Sequence, residues 1–132
     1  MTAFFDTNVL VYAVGTNDKG RIARDLLDVG GLVSVQCLNE FTNVVLRKIK
    51  LTWPEALPLL ADIRRRCGPV VPLTETIYID GLRIAQIYKI GLYDSMIVAA
   101  ALAGSADILY SEDMHHGLVV DGRLTIINPF RA

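Results

Sequence analysis

The sequence predicts an α/β fold built on a mainly parallel sheet that is covered on both faces. Three observations carry the prediction. Short apolar segments alternate with longer helical patterns along the whole chain, and parallel strands buried on both faces read as continuous apolar runs. Hydrophobic residues make up 52% of the chain and the mean hydropathy is +0.40, too apolar for a disordered polymer. A chain of 132 residues buries roughly two-thirds of its unfolded surface, enough for one core without staples. No repeat, low-complexity tract or linker divides it, so residues 1–132 read as a single domain.

Each element has its own signal. Ala3-Phe4-Phe5 is a short apolar run ended by Asp6, the pattern of a buried strand. Asp18 to Val29 is helical, with Ile22, Leu26 and Val29 on one face and Gly30-Gly31 as a stop. Leu32 to Val35 is a second strand that runs into a helix carrying Leu38, Phe41, Val44, Val45 and Ile49. Thr52, Pro54 and Glu55 form a helix start with a capping box, and that helix ends near Arg64-Arg65-Arg66. Gly68-Pro69 breaks the chain before a third strand at Val70-Val71. Thr74 opens a helix through Tyr88, with Gly91 expected as its left-handed cap. Asp94 to Ala103 is almost wholly apolar and therefore buried on most sides. Ile108 to Tyr110 and Leu124 to Ile127 complete a five-stranded sheet.

Charge and cysteine usage narrow the function. The chain carries 13 Lys+Arg against 14 Asp+Glu, a formal net charge of -1. A domain that holds nucleic acid by a general basic excess is excluded. Cys37 and Cys67 show no metal-ligand spacing and read as reduced core thiols of an intracellular protein. MTAFFDTN lacks a basic leader region, and the apolar run Met96 to Ala103 is too short to cross a bilayer, so a soluble, cytoplasmic protein is expected.

Four acids stand in unusual company. Asp6 ends an apolar strand, Glu40 lies in an apolar helix, Asp94 opens the most buried helix, and Asp113 follows an apolar strand. Each has a local explanation: an Asx turn for Asp6, an N-cap for Asp94, a solvated helix position for Glu40, a loop for Asp113. Yet ligands of open parallel sheets bind beyond the carboxyl ends of strands, where Asp6 and Asp113 fall. If the four converge, their repulsion demands compensation, and an all-carboxylate set suits Mg²⁺ or Mn²⁺. Carboxylates holding such ions point to phosphodiester hydrolysis without a side-chain nucleophile.

Asp6-Thr7-Asn8-Val9-Leu10, Ser34 with Glu40, Tyr93-Asp94 and Ser111-Glu112-Asp113 together resemble the motifs of PIN-domain ribonucleases, most closely the VapC-type toxins of toxin–antitoxin pairs. The resemblance runs from Ala3 to about Phe130 in matching order. It implies a three-layer α/β/α domain that cuts RNA with Mg²⁺ or Mn²⁺. It implies Asp6, Glu40, Asp94 and Asp113 as the catalytic, metal-holding quartet, with Asn8 and Ser111 as supports. It also implies a homodimer and an antitoxin that plugs the acidic site with a basic side chain. The chain departs from many relatives at His115, followed by His116, where a further acid would stand; both histidines read as a solvated loop, and Glu112 as pointing away from the site. Arg47, Lys48 and Lys50, and the Arg64–Arg66 run, suit either helix C-termini or RNA phosphates. Trp53 reads as core, and Tyr93 as a residue able to stack on a base.

Other classes fit less well. A haloacid-type phosphatase wants an Asp where Asn8 stands, and a receiver domain wants a lysine near the last strand, where none follows Lys89. A non-catalytic interaction domain on the same fold has no need for four crowded acids. One or two divalent ions would take the formal charge from -1 to about +1 to +3, adding two units per ion.

Overall fold

The computed structural model describes residues 1–131. In chain order the elements are β1 (Ala3–Phe5), α1 (Thr7–Val14), α2 (Asp18–Val29), α3 (Val35–Arg47), α4 (Trp53–Arg66), α5 (Glu75–Tyr88), α6 (Leu92–Ala103), β2 (Ile108–Tyr110), β3 (Val119–Val120) and β4 (Leu124–Ile127). The sheet order is β1-β2-β4-β3, with β1, β2 and β4 parallel and β3 antiparallel to β4. Consecutive strand residues point to opposite faces. Phe4 and Phe5 are both fully buried, so helices cover both sides of the sheet and the three layers follow.

The sheet has four strands rather than the five expected. The segments predicted as strands at Leu32–Val35 and Val70–Val71 extend it only as isolated parallel bridges, Phe4 with Leu32 and Ser34 with Val71. Two constraints cut them short. Ser34 caps α3, accepting from the Cys37 N–H at 3.2 Å, so the chain turns helical at once. Val71 lies between Pro69 and Pro72, which have no N–H to propagate a ladder. The unpredicted β3 comes from the turn at Asp121-Gly122, both at positive φ (53° and 67°). Aspartate-glycine between apolar runs is a hairpin signal.

Two helix boundaries also move. The left-handed position closing α5 is Lys89 (φ 59°), while Gly91 is the N-cap of α6 at φ −61°. The connection is too short to hold two caps at one residue. Helix α1, not anticipated, starts directly after Asp6, whose carboxylate accepts the Thr7 N–H. Its apolar run Val9-Leu10-Val11, with β-branched Val9 and Val11, carries no clear helical period. The capping box of α4 is present as expected. Helix α6 is buried from Ser95 through Leu102, and the small Ala99, Ala100 and Ala101 let neighbours approach closely. Cys37 and Cys67 are free and buried; burial pushes the Cys37 thiol up to about 12, leaving it inert.

Candidate active site

Two adjacent parallel strands build the core of the site. Phe5 pairs with Tyr110, so the residues that follow them, Asp6 and Ser111, emerge side by side at the carboxyl edge of the sheet. Backbone bonds fix both: the Asp6 N–H donates to Tyr110 O at 3.0 Å and the Ser111 N–H to Ile127 O at 3.0 Å. The Asp6 carboxylate accepts from the Thr7 N–H (2.7 Å), Ser111 Oγ (2.6 Å) and Asn8 Nδ2 (3.2 Å). Ser111 Oγ in turn accepts from the N–H groups of Asp113 (3.2 Å) and Met114 (3.3 Å). Asn8 Nδ2 also donates to Asp113 Oδ2 at 3.2 Å, and Asn8 Oδ1 accepts from the Glu112 N–H at 3.2 Å. Asn8 and Ser111 thus clamp the Asp113 loop against Asp6.

Two further acids come from helices. Glu40, in the middle of α3, accepts from Thr7 Oγ1 at 3.0 Å and from Gln36 Nε2 at 2.9 Å. Asp94 lies in the first turn of α6, but the N-cap is Gly91 and no side chain caps the helix. The N-cap explanation of Asp94 therefore falls away, and its carboxylate faces the cleft at the positive end of the helix. Asp6, Glu40, Asp94 and Asp113 all line one cleft of about 530 Å³.

The acids feel one another. Burial, with the charges of Asp94 and Glu40 adding to it, pushes the Asp6 carboxyl up to about 7 against the hydrogen bonds from Ser111 and Thr7. Burial also raises Asp94, helped by Glu40 and Asp113. Among the described residues, no three His, Cys, Asp or Glu side chains form a closed metal cluster. The donor set is nonetheless all oxygen. An open set of this kind suits Mg²⁺, which keeps waters and is held by one or two carboxylates plus substrate phosphate.

Several neighbours escaped sequence reasoning. Thr7 and Gln36 tether Glu40; the Gln36–Glu40 spacing of one helical turn was the available signal. Glu112 does not point away: its side chain lines the same cleft, bonded to Tyr12 Oη and Lys19 Nζ, each at 2.6 Å. Lys19 and Tyr12 hold the Glu112 carboxyl below its ordinary range, and Lys19 also sits 5.0 Å from the Tyr12 ring centre. His115 and His116 are exposed, and His116 Nδ1 accepts the Asn128 N–H at 2.9 Å as a loop contact. Trp53 is not in the core but 57% exposed, because it opens α4 at the surface. Arg65 and Arg66 are engaged by Asp62, and Arg66 also by Asp28.

Fold and cleft together define an α/β domain with an acidic site at the carboxyl edge of its sheet. The PIN domain family model matches residues 3–117, and the chain belongs to that family. Among curated proteins no sequence match was found. Three solved structures share the fold. A toxin–antitoxin complex from Klebsiella pneumoniae superposes with a TM-score of 0.74 at 19% identity, covering 99% of this chain and 100% of that one. Mycobacterium tuberculosis VapC20, a sarcin-ricin loop cleaving toxin, gives 0.64 at 13% identity, covering 85% and 90%. VapBC2 from Rickettsia felis, bound to a DNA fragment from its promoter, gives 0.61 at 20% identity, covering 86% and 88%.

Proposed function

We propose that the protein is a divalent-cation-dependent endoribonuclease and the toxin of a toxin–antitoxin pair. One observation carries the reading: four carboxylates, delivered by four separate segments of a PIN domain, line a single cleft. Asp6, Asp94 and Asp113 would hold Mg²⁺ or Mn²⁺. Bound there, a hard cation supplies charge for the phosphoryl oxygens and acidity for a coordinated water. Glu40, fixed by Thr7 and Gln36, orients the attacking water and accepts its proton at a carboxylate oxygen. Asn8 and Ser111 keep Asp6 and Asp113 in register, the supporting role that sets ligand orientation at metal sites.

The toxin reading draws on the three structural neighbours, two of which are complexes of toxin with antitoxin. An acidic cleft suits a partner that inserts a basic side chain. Exposed apolar residues such as Tyr78, Ile79, Leu92 and Tyr93 favour a protein partner or a homodimer. A protein that cuts cellular RNA is expected to act in the cytoplasm. Separately, no helix among the described residues is long and apolar enough to cross a membrane. The test is cleavage of RNA by Asp6→Asn, checked for folding by circular dichroism. The reading expects a folded, inactive variant; undiminished cutting would overturn it.

A further inference from the structure

The acids do not close off a blind pit. Asp94 and Asp113 line the cleft of about 530 Å³ and also a second cavity of about 490 Å³ beyond them. Each cavity carries one lysine on its wall, Lys48 in the first and Lys89 in the second. Among the described residues neither lysine has an ion-pair partner. The third lysine of this region, Lys19, is occupied by Glu112 at 2.6 Å. It therefore cancels the extra carboxylate at the Tyr12 rim and is not free for an incoming anion.

Both unpaired lysines are tied to backbone that also carries an acid. Lys48 is the C-cap of α3, on the face that carries Glu40, Asn43 and Val44 along the cleft wall. Eight residues of helix put it about 12 Å along the axis from Glu40, at 1.5 Å per residue. Lys89 ends α5 in the left-handed conformation (φ 59°), just before the helix that presents Asp94. The lysines thus flank the carboxylates, one on either side, at positions set by helix ends.

We propose that the two cavities form one channel across the acids for a single RNA strand, with Lys48 and Lys89 binding the phosphates on either side of the one that is cut. The proposal rests on the ribonuclease reading and adds the path of the substrate. A lysine ammonium meets a phosphate as a point charge and reads no base. The channel therefore holds the strand by its backbone, without regard to base sequence. Lys48 and Lys89 are positioning residues: they hold the strand and leave the bond-breaking step to the acids.

The experiment measures RNA binding and cutting separately. Binding of a fluorescein-labelled single-stranded RNA is followed by anisotropy in Mg²⁺ across a salt series, in an Asp94→Asn background that does not cut. Lys48→Gln and Lys89→Gln each weaken binding about five- to ten-fold, as expected for a charged contact near the surface. Each also lowers the slope of log affinity against log salt by about 0.7, the single-strand value per neutralised phosphate. The double variant loses both increments, Lys→Arg at either position restores them, and Arg21→Gln on the outer face of α2 changes nothing. In the otherwise wild-type enzyme the same variants raise KM and leave kcat unchanged. Binding and slope indifferent to either lysine, or no RNA binding at all, would overturn the channel. Lysine-dependent binding without metal-dependent cleavage sustains the channel and removes the nuclease. Metal-dependent cleavage with KM indifferent to both lysines does the reverse.

Discussion

Replacing Asp6 with asparagine is expected to stabilise the metal-free protein while abolishing its function. The Asp6 carboxyl is 3% exposed and is pushed from 3.8 up to about 7, chiefly by burial. An acid whose folded-state pKa is raised binds its proton more tightly when folded. The folded state is therefore penalised as pH rises from about 4 towards 7, and fully above 7. A displacement of about 3 units corresponds to roughly 4 kcal/mol above pH 7, falling below about 2 kcal/mol at pH 5. Asparagine removes that penalty. It also forfeits acceptance from Ser111 and Asn8, at a cost of about 1–2 kcal/mol, so the net gain at pH 8 is about 2–3 kcal/mol. For a domain of this size that raises Tm by about 5–10 °C. The assay is thermal melting in EDTA from pH 5 to 8, wild type against variant. The advantage of the variant grows with pH, and saturating Mn²⁺ reverses the ranking. A variant less stable than wild type at pH 8, by an amount independent of pH, would show that the buried Asp6 charge does not penalise the folded state.

Three further outcomes follow from the same geometry. Mn²⁺ at 100 times its Kd stabilises the wild type by about 2.7 kcal/mol through linkage, measured as a concentration-dependent Tm that EDTA removes. Ser111→Ala strips a hydrogen bond from Asp6 and leaves the Asp113 and Met114 N–H groups without their acceptor. Cleavage is expected to fall about 10–100-fold, with Ser111→Thr recovering most of it in the same assay. Gly20→Ala sets a Cβ 2.5 Å from Gly15 O and 2.7 Å from Tyr12 O, backbone atoms that cannot yield. Prising α2 from α1 costs about 1–3 kcal/mol, read as a lowered urea midpoint at unchanged m-value.

Much of the fold was legible because its signals are local. The capping box at Thr52, the apolar stretch of α6 and the β1 and β2 runs each specify their element within a few residues. What escaped depends on the neighbourhood. Helix α1 has the composition of a strand and is helical because Asp6 caps it while Val9 and Leu10 fill the core. The segments at Leu32 and Val71 look like strands, and only the cap at Ser34 and the flanking prolines limit them to single bridges. At the site, residue type marked Asp6, Glu40, Asp94 and Asp113 because acids are costly in apolar settings. The partners that hold them were not visible in the same way. Thr7 reaches Glu40 across 33 positions and Lys19 reaches Glu112 across 93, distances that no spacing rule spans. Glu112 shows the limit of alternation arguments: the chain after β2 turns instead of staying extended, and its side chain swings to Lys19.

In the proposed reaction the acids of one cleft hold a divalent cation and cut RNA with it. The most direct test incubates purified wild type and Asp94→Asn with total cellular RNA in EDTA, then adds Mg²⁺ or Mn²⁺ and maps the new ends. Discrete cleavage by the wild type is expected only after metal is added, and none by a folded Asp94→Asn. Cleavage in EDTA, or equal cleavage by both proteins, would contradict it.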